Sequence, residues 1–378
     1  MAVRARLRGG REGRGATAAL STHDRWSVGH GGSGVFLKSH RHSLKNGGIT
    51  MTRDPGERLT VAGLGMPEAT GSRRMDWAAM PREATARIER MLGSPVAHAI
   101  SQRGGFSEGL AARVRLENGK RAFIKAASSL MAPAEADFHR REIAVSEQLP
   151  GEVPAPRLLD AYDDGTWVVL AFEEIPGQLP AQPWRREELN RVLAAVTDMA
   201  EVLTPSPVNE AILSRPRLGG WLAMADDAVV RGKVGELSPW AGHHFGRLAA
   251  LEGNASLDGA TLLHGDLYPF NIMLTADRVF VVDWPHAWVG PRHCDAVTLI
   301  SSASLSGLDP QPIAENHPLT RGLDPVQLNE VLALHAGFLL RTAAGAGPGA
   351  DPHLIAMMTA LGLASLRWLR RRMGDVGG

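Results

Sequence analysis

The side chains most suited to chemistry in this chain lie between residues 262 and 287. His264, Asp266 and Asn271 follow the pattern H-x-D-x-x-x-x-N, and Asp283 stands twelve residues after Asn271, at the end of the run VFVVD. Phosphoryl transfer from a nucleotide needs a carboxylate that faces the attacking hydroxyl, as Asp266 would. It also needs an amide and a second carboxylate that hold magnesium against the phosphates. The spacing therefore indicates phosphoryl transfer.

Each of these side chains also has an ordinary structural explanation. A lone Asp after glycine often accepts hydrogen bonds from turn amides, and Asn271 alone would be a turn residue. Asp283 could end a strand in a turn, although a charge at the buried end of an apolar strand needs a partner such as a divalent ion. The joint pattern favours function. His264 is better suited to brace the loop through its ring nitrogens than to transfer protons.

Lysine is scarce, with five in the whole chain, so Lys125 within AFIKA stands out. Its compact charge suits the α- and β-phosphates of a nucleotide, although a lysine on an edge strand commonly faces solvent. Glu142, in the middle of the next predicted helix, could hold Lys125 through an ion pair. Glu135 is the alternative partner, and we prefer Glu142 because it lies on the apolar side of that helix.

A glycine-rich segment, GGFSEG at 104–109, lies between two predicted strands. Its backbone amides, with Gly105 and Ser107 as candidates, could cover phosphates. The spacing departs from G-x-G-x-x-G, and Glu108 would repel phosphate if it pointed inward. A plain hairpin turn explains the segment nearly as well.

Two further groups of residues could contact a bound nucleotide or substrate. Phe172, Glu173 and Glu174 link the two predicted lobes of the chain, and their backbone could hydrogen-bond an adenine edge. Trp284 and Trp288 follow Asp283, and could stack on substrate rings or pack the core. We favour packing for the tryptophans.

Hydrophobic periodicity predicts the elements that must position these residues. The predicted strands lie at 96–105, in a hairpin over 110–128 with an Asn-Gly turn, and in a pair over 154–177. The predicted helices span residues 82–92, 132–149, 186–204, 217–231, 239–251, 326–345 and 352–373. The pattern predicts an α+β fold of two lobes, with a small antiparallel sheet in the first and mainly helices in the second.

The predicted boundaries give an N-terminal extension over 1–75, a nucleotide-binding lobe over 76–177 and a catalytic lobe over 178–378. Residues 1–50 hold nine Lys/Arg against two Asp/Glu, whereas the remainder holds 32 against 38. The extension could be disordered and bind nucleic acid, or be a targeting segment. We favour a third explanation, a later start at Met51, Met66 or Met75, and consider nucleic-acid binding unlikely.

Composition excludes several classes of protein. The single cysteine, Cys294, excludes a disulfide framework and a zinc site built on several cysteines, and fits a reducing cytoplasm. The apolar run at 354–366 is too short to span a bilayer, so no membrane attachment is expected.

With these residues placed, the chain resembles the aminoglycoside phosphotransferase family, the small-molecule branch of the protein-kinase-like fold. HGDLYPFN is similar to that family's catalytic loop, with Gly265 where protein kinases usually carry arginine. The resemblance implies that Asp266 is the catalytic base and that Asn271 and Asp283 bind Mg²⁺. It also implies that Asp295 has a structural role and supports the loop that carries Asp266.

The same resemblance identifies Lys125 and Glu142 as the pair that grips phosphate, and EEIPG at 173–177 as the hinge. It implies transfer of the γ-phosphate of ATP or GTP to a hydroxyl of a small molecule. That acceptor could be an aminoglycoside or other antibiotic, which would confer resistance, or a metabolite such as an amino alcohol or a sugar. A nucleotide-binding relative without catalysis is the alternative. The absence of an A-P-E sequence after Asp283 argues against a protein substrate.

Overall fold

The computed structural model describes residues 65–67, 69 and 74–374. The basic segment at 1–50 lies outside these residues, and so do the predictions of disorder, targeting and nucleic-acid binding attached to it. Met66, Ala69 and Arg74, which the sequence assigned to the N-terminal extension, are described and contact the folded body.

The first part of the chain forms one antiparallel sheet of five strands in the order β1-β2-β3-β5-β4. The strands are β1 (Val96–Ser101), β2 (Leu110–Leu116), β3 (Arg121–Ser128), β4 (Leu158–Asp163) and β5 (Trp167–Glu173). Helix α1 (Arg82–Leu92) precedes the sheet, and α2 (Pro133–Ser146) connects β3 to β4. Gly119 makes the tight β2–β3 turn with a φ of 83°. The predicted sheet and its hairpin are present.

Alternation along β3 determines which way its side chains point. Ala122, Ile124 and Ala126 enter the core between the sheet and α1. Ala127, on the other face, packs against Ala136 of α2. Lys125 belongs to that second face, so the strand delivers its amine to the side of the sheet that α2 covers.

The second part is mainly helical. Its helices are α3 (Arg186–Val202), α4 (Trp221–Ala225), α5 (Ala228–Leu237), α6 (Pro239–His243), α7 (Phe245–Asn254), α8 (Cys294–Ala303), α9 (Pro310–Asn316), α10 (Pro325–Ala344) and α11 (Pro352–Arg372). Helices α10 and α11 pack against each other along their length and also contact α8. Among the described residues, none of the helices combines the length and the hydropathy that crossing a membrane would require.

The helices predicted at 217–231 and 239–251 are each divided in two. Asp227 interrupts the first because its side chain accepts a hydrogen bond from Val230 N and starts α5. The second breaks at His244, between α6 and α7. Helices α8 and α9 were not predicted.

Two short pairs of antiparallel strands hold the segment that carries Asp266 and Asp283, and the second pair lies within the connection of the first. Strand β6 (Thr261–Leu263) pairs with β9 (Trp288–Gly290), and β7 (Ile272–Leu274) pairs with β8 (Val279–Val281). The loop between β6 and β7 carries Asp266, and Asp283 follows β8 by two residues. Both acidic groups are therefore fixed at the ends of paired strands.

Candidate active site

Three groups far apart in sequence meet at the amine of Lys125. Its Nζ lies 2.7 Å and 2.8 Å from the two carboxylate oxygens of Glu142 on α2. The same Nζ lies 2.9 Å from Asp283 Oδ1. The side chains of Lys125 and Glu142 are 15% and 3% exposed, whereas that of Asp283 is 46% exposed. A buried ion pair thus presents an amine and an accessible carboxylate side by side.

The electrostatics of this cluster keep the amine charged. Burial opposes charge on Lys125, but the carboxylates of Asp283 and Glu142 outweigh it and raise the pKa of the lysine. Burial also acts to raise the pKa of Asp283, yet the Lys125 ammonium holds it below its usual range. Burial raises the pKa of Glu142, with Lys125 opposing that rise.

The structure distinguishes the two candidate partners of Lys125. Glu142 makes the ion pair, whereas Glu135 accepts a hydrogen bond from the Ser107 hydroxyl. Gly109 N in turn donates to Ser107 Oγ at 3.3 Å. Ser107 therefore ties the glycine-rich segment to α2 through its side chain.

The glycine-rich segment also contacts residues that precede α1. Gly105 has a φ of 93°, and its N–H donates to the carbonyl of Ala69 at 2.7 Å. A Cβ built on Gly105 would lie 2.4 Å from Arg74 Nη2. In this structure, therefore, the Gly105 amide is engaged by protein, and a guanidinium lies against the turn.

Arg74 is a functional candidate that sequence reasoning missed. Its guanidinium is largely buried, and its Nε has no hydrogen-bond partner. Burial lowers the pKa of Arg74, while the carboxylates of Asp283 and Glu135 oppose that shift. Arg74 precedes the first periodic segment of the chain, so no pattern marked it.

Asp283 has a φ of 72°, and it is the one non-glycine residue with positive φ among the residues described. Aspartate tolerates this left-handed region better than most residues, although it is still strained there. The preceding Val282 N donates to the backbone oxygen of Asn271 at 2.9 Å, which holds the Asp283 turn against the β6–β7 loop. Backbone geometry thus contributes to aiming this carboxylate.

The geometry of Gly265 shows why the β6–β7 loop carries glycine after His264. Its φ is 76°, and an added Cβ would lie 2.4 Å from the carbonyl oxygen of His286 and 2.8 Å from Trp288 Cδ1. No side chain fits in that space. The loop therefore packs at close range against residues 286–288, in the segment that follows Asp283.

The loop is also braced from both sides. The buried carboxylate of Asp295, whose pKa burial raises, accepts hydrogen bonds from His264 N at 2.7 Å and Gly265 N at 3.1 Å. His264 Nδ1 accepts from Asp266 N at 3.3 Å, so Nε2 donates to Val282 O at 3.0 Å. The His264 ring contacts protein through both nitrogens, which supports a bracing role.

A buried polar chain connects the same loop to the C-terminal helices. Tyr268 Oη lies 2.7 Å from His335 Nε2, and His335 Nδ1 lies 2.7 Å from Ser365 Oγ. Ser365 Oγ lies 2.7 Å from Ser301 Oγ. Burial lowers the pKa of His335 to about 3, so the ring is neutral.

Trp284 and Trp288 are also buried, at 2% and 3% exposure, and they pack the core as expected.

Both oxygens of Asp266 are engaged. Oδ1 accepts a hydrogen bond from Arg217 Nη1 at 2.8 Å, and Oδ2 accepts one from Asn271 Nδ2 at 3.0 Å. Asn271 Nδ2 also donates to the Asp266 carbonyl at 2.8 Å. These bonds assign the amide orientation and direct Asn271 Oδ1 away from Asp266. Arg217 is a second residue that sequence reasoning missed.

Two side-chain oxygens that make none of the hydrogen bonds above suit a magnesium ion. Asn271 Oδ1 and the second oxygen of Asp283 are hard donors, and Mg²⁺ is commonly held by one or two protein oxygens together with substrate phosphates. Among the residues described, no group of three or more His, Cys, Asp or Glu side chains is placed to hold a metal ion. The donor set fits an ion shared with a nucleotide.

The linker after β5 is fixed by its side chains. Glu174 pairs with Arg121 and with Arg113, the latter at 3.3 Å. Glu173 Oε1 accepts from Arg157 N at 3.0 Å, and the ring of Phe172 lies 5.9 Å from the Lys125 amine. The predicted hinge thus adjoins the Lys125 cluster, with both glutamate side chains directed to protein.

The sequence of residues 104–326 matches the profile of the phosphotransferase enzyme family, APH. This segment is more than half of the chain and contains the Lys125 cluster and the braced loop. The chain belongs to the phosphotransferase enzyme family. The resemblance to aminoglycoside phosphotransferases is thereby confirmed.

Two curated proteins are similar in sequence to parts of the chain. An aminoglycoside 3'-phosphotransferase of Streptomyces fradiae is 29% identical over 153 residues, which cover 38% of this chain and 56% of the relative. A LicA homolog of Mycoplasma capricolum is 36% identical over 50 residues, covering 13% and 21%. The chain thus spans about half or less of the length of these relatives.

Solved structures of another phosphotransferase share the fold. A thermostable mutant of aminoglycoside phosphotransferase APH(4)-Ia, in complex with AMP-PNP and hygromycin B, superposes with a TM-score of 0.52 at 13% identity. The similarity covers 76% of this chain and 99% of that one. A second mutant, with ADP and hygromycin B, gives 0.51 at 14% identity, covering 78% and 100%. The predicted two-lobed, protein-kinase-like α+β fold is confirmed.

Proposed function

We propose that this phosphotransferase moves the γ-phosphate of ATP or GTP to a hydroxyl of a small molecule. The observation that carries the proposal is the 2.9 Å contact between Lys125 Nζ and Asp283 Oδ1, made beside the braced loop of Asp266 and Asn271. The complete set of these four groups favours catalysis over a purely nucleotide-binding role. We further propose residues 76–177 as the nucleotide-binding lobe and 178–378 as the catalytic lobe.

Lys125 binds the α- and β-phosphates in this mechanism, and Glu142 keeps its amine in position. Asn271 and Asp283 would hold Mg²⁺, which when bound supplies positive charge against the phosphate oxygens. The guanidinium of Arg74 would add charge on the same side, while the backbone after Phe172 would receive the base. Positioning and electrostatics then supply most of the acceleration.

The transfer step uses Asp266 as the base. The acceptor oxygen forms a bond to the γ-phosphorus as the bond from that phosphorus to the β,γ-bridging oxygen breaks. The nucleoside diphosphate leaves with the electron pair, and the hydroxyl proton passes to Asp266. His264 and Asp295 act at a distance by holding the loop, and neither needs to touch the substrate.

The acceptor is a small molecule, and two classes remain candidates. The relative from Streptomyces fradiae and the complexes with hygromycin B make antibiotics one class, and transfer to an antibiotic would confer resistance. Metabolites such as amino alcohols or sugars form the other. We place the enzyme in the cytoplasm, where nucleotide is available and its one cysteine stays reduced.

The test is a screen for release of ADP with the full chain, Mg·ATP and a library of aminoglycosides, other hydroxylated antibiotics and small metabolites. Product must be confirmed as a phosphate monoester by mass spectrometry. The Asp266→Asn variant is the background control, because it removes the base and keeps the size of the side chain. Equal ADP release by both proteins for every compound would reject the proposal.

A further inference from the structure

The strongest unassigned feature is the guanidinium that faces the proposed base. Arg217 Nη1 lies 2.8 Å from Asp266 Oδ1, and the two side chains are 24% and 18% exposed. The Arg217 guanidinium carbon also lies 5.1 Å from the centre of the Phe338 ring. An aromatic face and a carboxylate thus hold this arginine at the position from which an acceptor hydroxyl must approach.

Most residues around this pair are aromatic or apolar, and Asp295 is the one further carboxylate among them. A small cavity beside Asp266 is lined by Tyr268, Trp288, Thr298 and Phe338 in addition to Arg217. The cavity has a volume of about 20 Å³, which is room for a single water-sized group such as one oxygen of an acceptor. The four side chains that line it with Arg217 carry no negative charge that would attract an ammonium group.

The carboxylates near this cavity are already used by the protein. Asp266 is bonded to Arg217 and Asn271, and Asp295 accepts from two backbone amides. Glu252 is engaged as well, because its oxygens accept from the amides that begin α4, including Trp221 N at 2.6 Å. Among the cavity residues that the structure describes, Arg217 is therefore the one positive charge, and its partner is the proposed base.

Catalysis removes the negative charge from this ion pair. When Asp266 takes the proton of the acceptor hydroxyl, Arg217 loses its anionic partner in a partly buried place, which is unfavourable unless another anion replaces it. An acceptor ammonium would instead be repelled by the guanidinium. A carboxylate or phosphate on the acceptor would restore the pairing through two parallel hydrogen bonds.

We propose that the acceptor of this enzyme carries an anionic group close to the hydroxyl that is phosphorylated, and that Arg217 binds that group. The inference rests on the proposed function and narrows its substrate class. It places hydroxylated carboxylates and phosphate esters ahead of neutral polyols, and both ahead of polycations such as aminoglycosides.

The test compares acceptors that differ in charge and in little else. Gluconate, sorbitol and glucamine share one polyol chain and end in a carboxylate, a hydroxymethyl and an ammonium group. Hydroxylated carboxylates, phosphate esters, neutral sugars and aminoglycosides extend the panel. With the full chain and Mg·ATP, kcat/KM is expected to fall from the anionic to the cationic member of each series.

Two variants connect this preference to the arginine. Arg217→Gln is expected to lower kcat/KM for the anionic acceptors by about ten- to a hundredfold, the loss of one charged hydrogen-bonded contact. Its effect on the neutral acceptors should be smaller, and Arg217→Lys should recover part of the preference. Arg215→Gln is the matched control, because it removes the same charge from an exposed position two residues away.

The outcomes separate the two proposals. If the best acceptor is cationic or neutral and Arg217→Gln leaves its kcat/KM unchanged or raised, the inference is overturned while the phosphotransferase function stands. If no compound of any charge is phosphorylated above the Asp266→Asn background, the proposed function fails, and the inference fails with it. An anionic preference that survives in Arg217→Gln would also overturn the role of Arg217.

Discussion

The amine of Lys125 donates a hydrogen bond to Asp283 at 2.9 Å, although 158 residues separate them in the chain. One residue comes from the middle of the sheet and the other from the turn after β8. Lys125 Nζ also donates to Glu142, so one amine joins the sheet, α2 and the turn after β8. The two halves of the proposed nucleotide site are thereby connected through a single side chain.

Replacement of Asp266 by asparagine should abolish transfer and leave the fold intact. Loss of a positioned general base typically lowers the rate by about 10²- to 10⁴-fold. Binding of Mg·ATP, followed by thermal shift, should persist because Lys125, Asn271 and Asp283 are unchanged. A kcat above a tenth of the wild-type value with the preferred acceptor would contradict the assignment of Asp266 as base.

Replacement of Asp283 by asparagine should weaken binding of Mg·ATP. Asparagine tolerates the positive φ of 72° at this position, so the change removes charge with little added backbone strain. The measurement is a thermal-shift titration with ATP at several magnesium concentrations. Asp198→Asn, at an exposed position on α3, controls for the loss of one negative charge. Magnesium dependence equal to that of the wild type would rule out the ligand role.

Replacement of Gly265 by alanine should damage both stability and activity. The new Cβ would meet the carbonyl of His286, and the left-handed backbone adds strain of about 1–2 kcal/mol. Gly307→Ala isolates the second effect, because Gly307 has a φ of 77° and no atoms within 4 Å of an added Cβ. Urea unfolding should show a larger loss for Gly265→Ala. Equal losses would mean that Gly265 does not lie close to the carbonyl of His286.

Acidification should destabilise the enzyme through its buried histidines. Burial lowers the pKa of His335 to about 3 from an ordinary value of 6.5, so the unfolded state binds more protons between these limits. The stability that the neutral ring contributes is complete above pH 6.5 and is lost as the pH falls towards 3. For this residue the loss between pH 7.5 and 5 is about 2 kcal/mol.

The measurement is the free energy of unfolding in urea at pH 7.5 and at pH 5, for the wild type and for His335→Gln. The variant loses hydrogen bonds at both pH values, so only the difference between the two pH values is compared. That difference should shrink by about 2 kcal/mol in His335→Gln and stay unchanged in His353→Gln, at an exposed position. An unchanged difference in His335→Gln would show that this ring is accessible to protons in the folded protein.

Among the candidate site residues, those that lie close together along the chain could be predicted from the sequence. His264, Asp266, Asn271 and Asp283 lie within twenty residues, and the two strand pairs that hold them are short. Their spacing is therefore recognisable in the sequence. Lys125 was recognisable because an amine in an apolar strand is rare in this chain. The strands around it alternate cleanly, which also made the sheet predictable.

Arg217 and Arg74 could not be predicted as candidate site residues, because only tertiary contacts distinguish them from the other arginines of the chain. Arg217 stands 49 residues before Asp266, at the first position of the helix predicted over 217–231, whereas in the structure it precedes α4, which begins at Trp221. Helix α8 was missed for a different reason. Nine of its ten residues are buried, so it lacks the polar face whose period reveals a surface helix.

The hydrogen bond from Gly105 N to the Ala69 carbonyl bears on how far the polypeptide can be shortened. A chain that starts at Met75 would lose this carbonyl together with Arg74, and its glycine turn would lose a support. A chain that starts at Met51 would retain both. A shortened chain that lacks the basic segment at 1–50 is therefore expected to keep the support of its glycine-rich segment only if it still begins before Ala69.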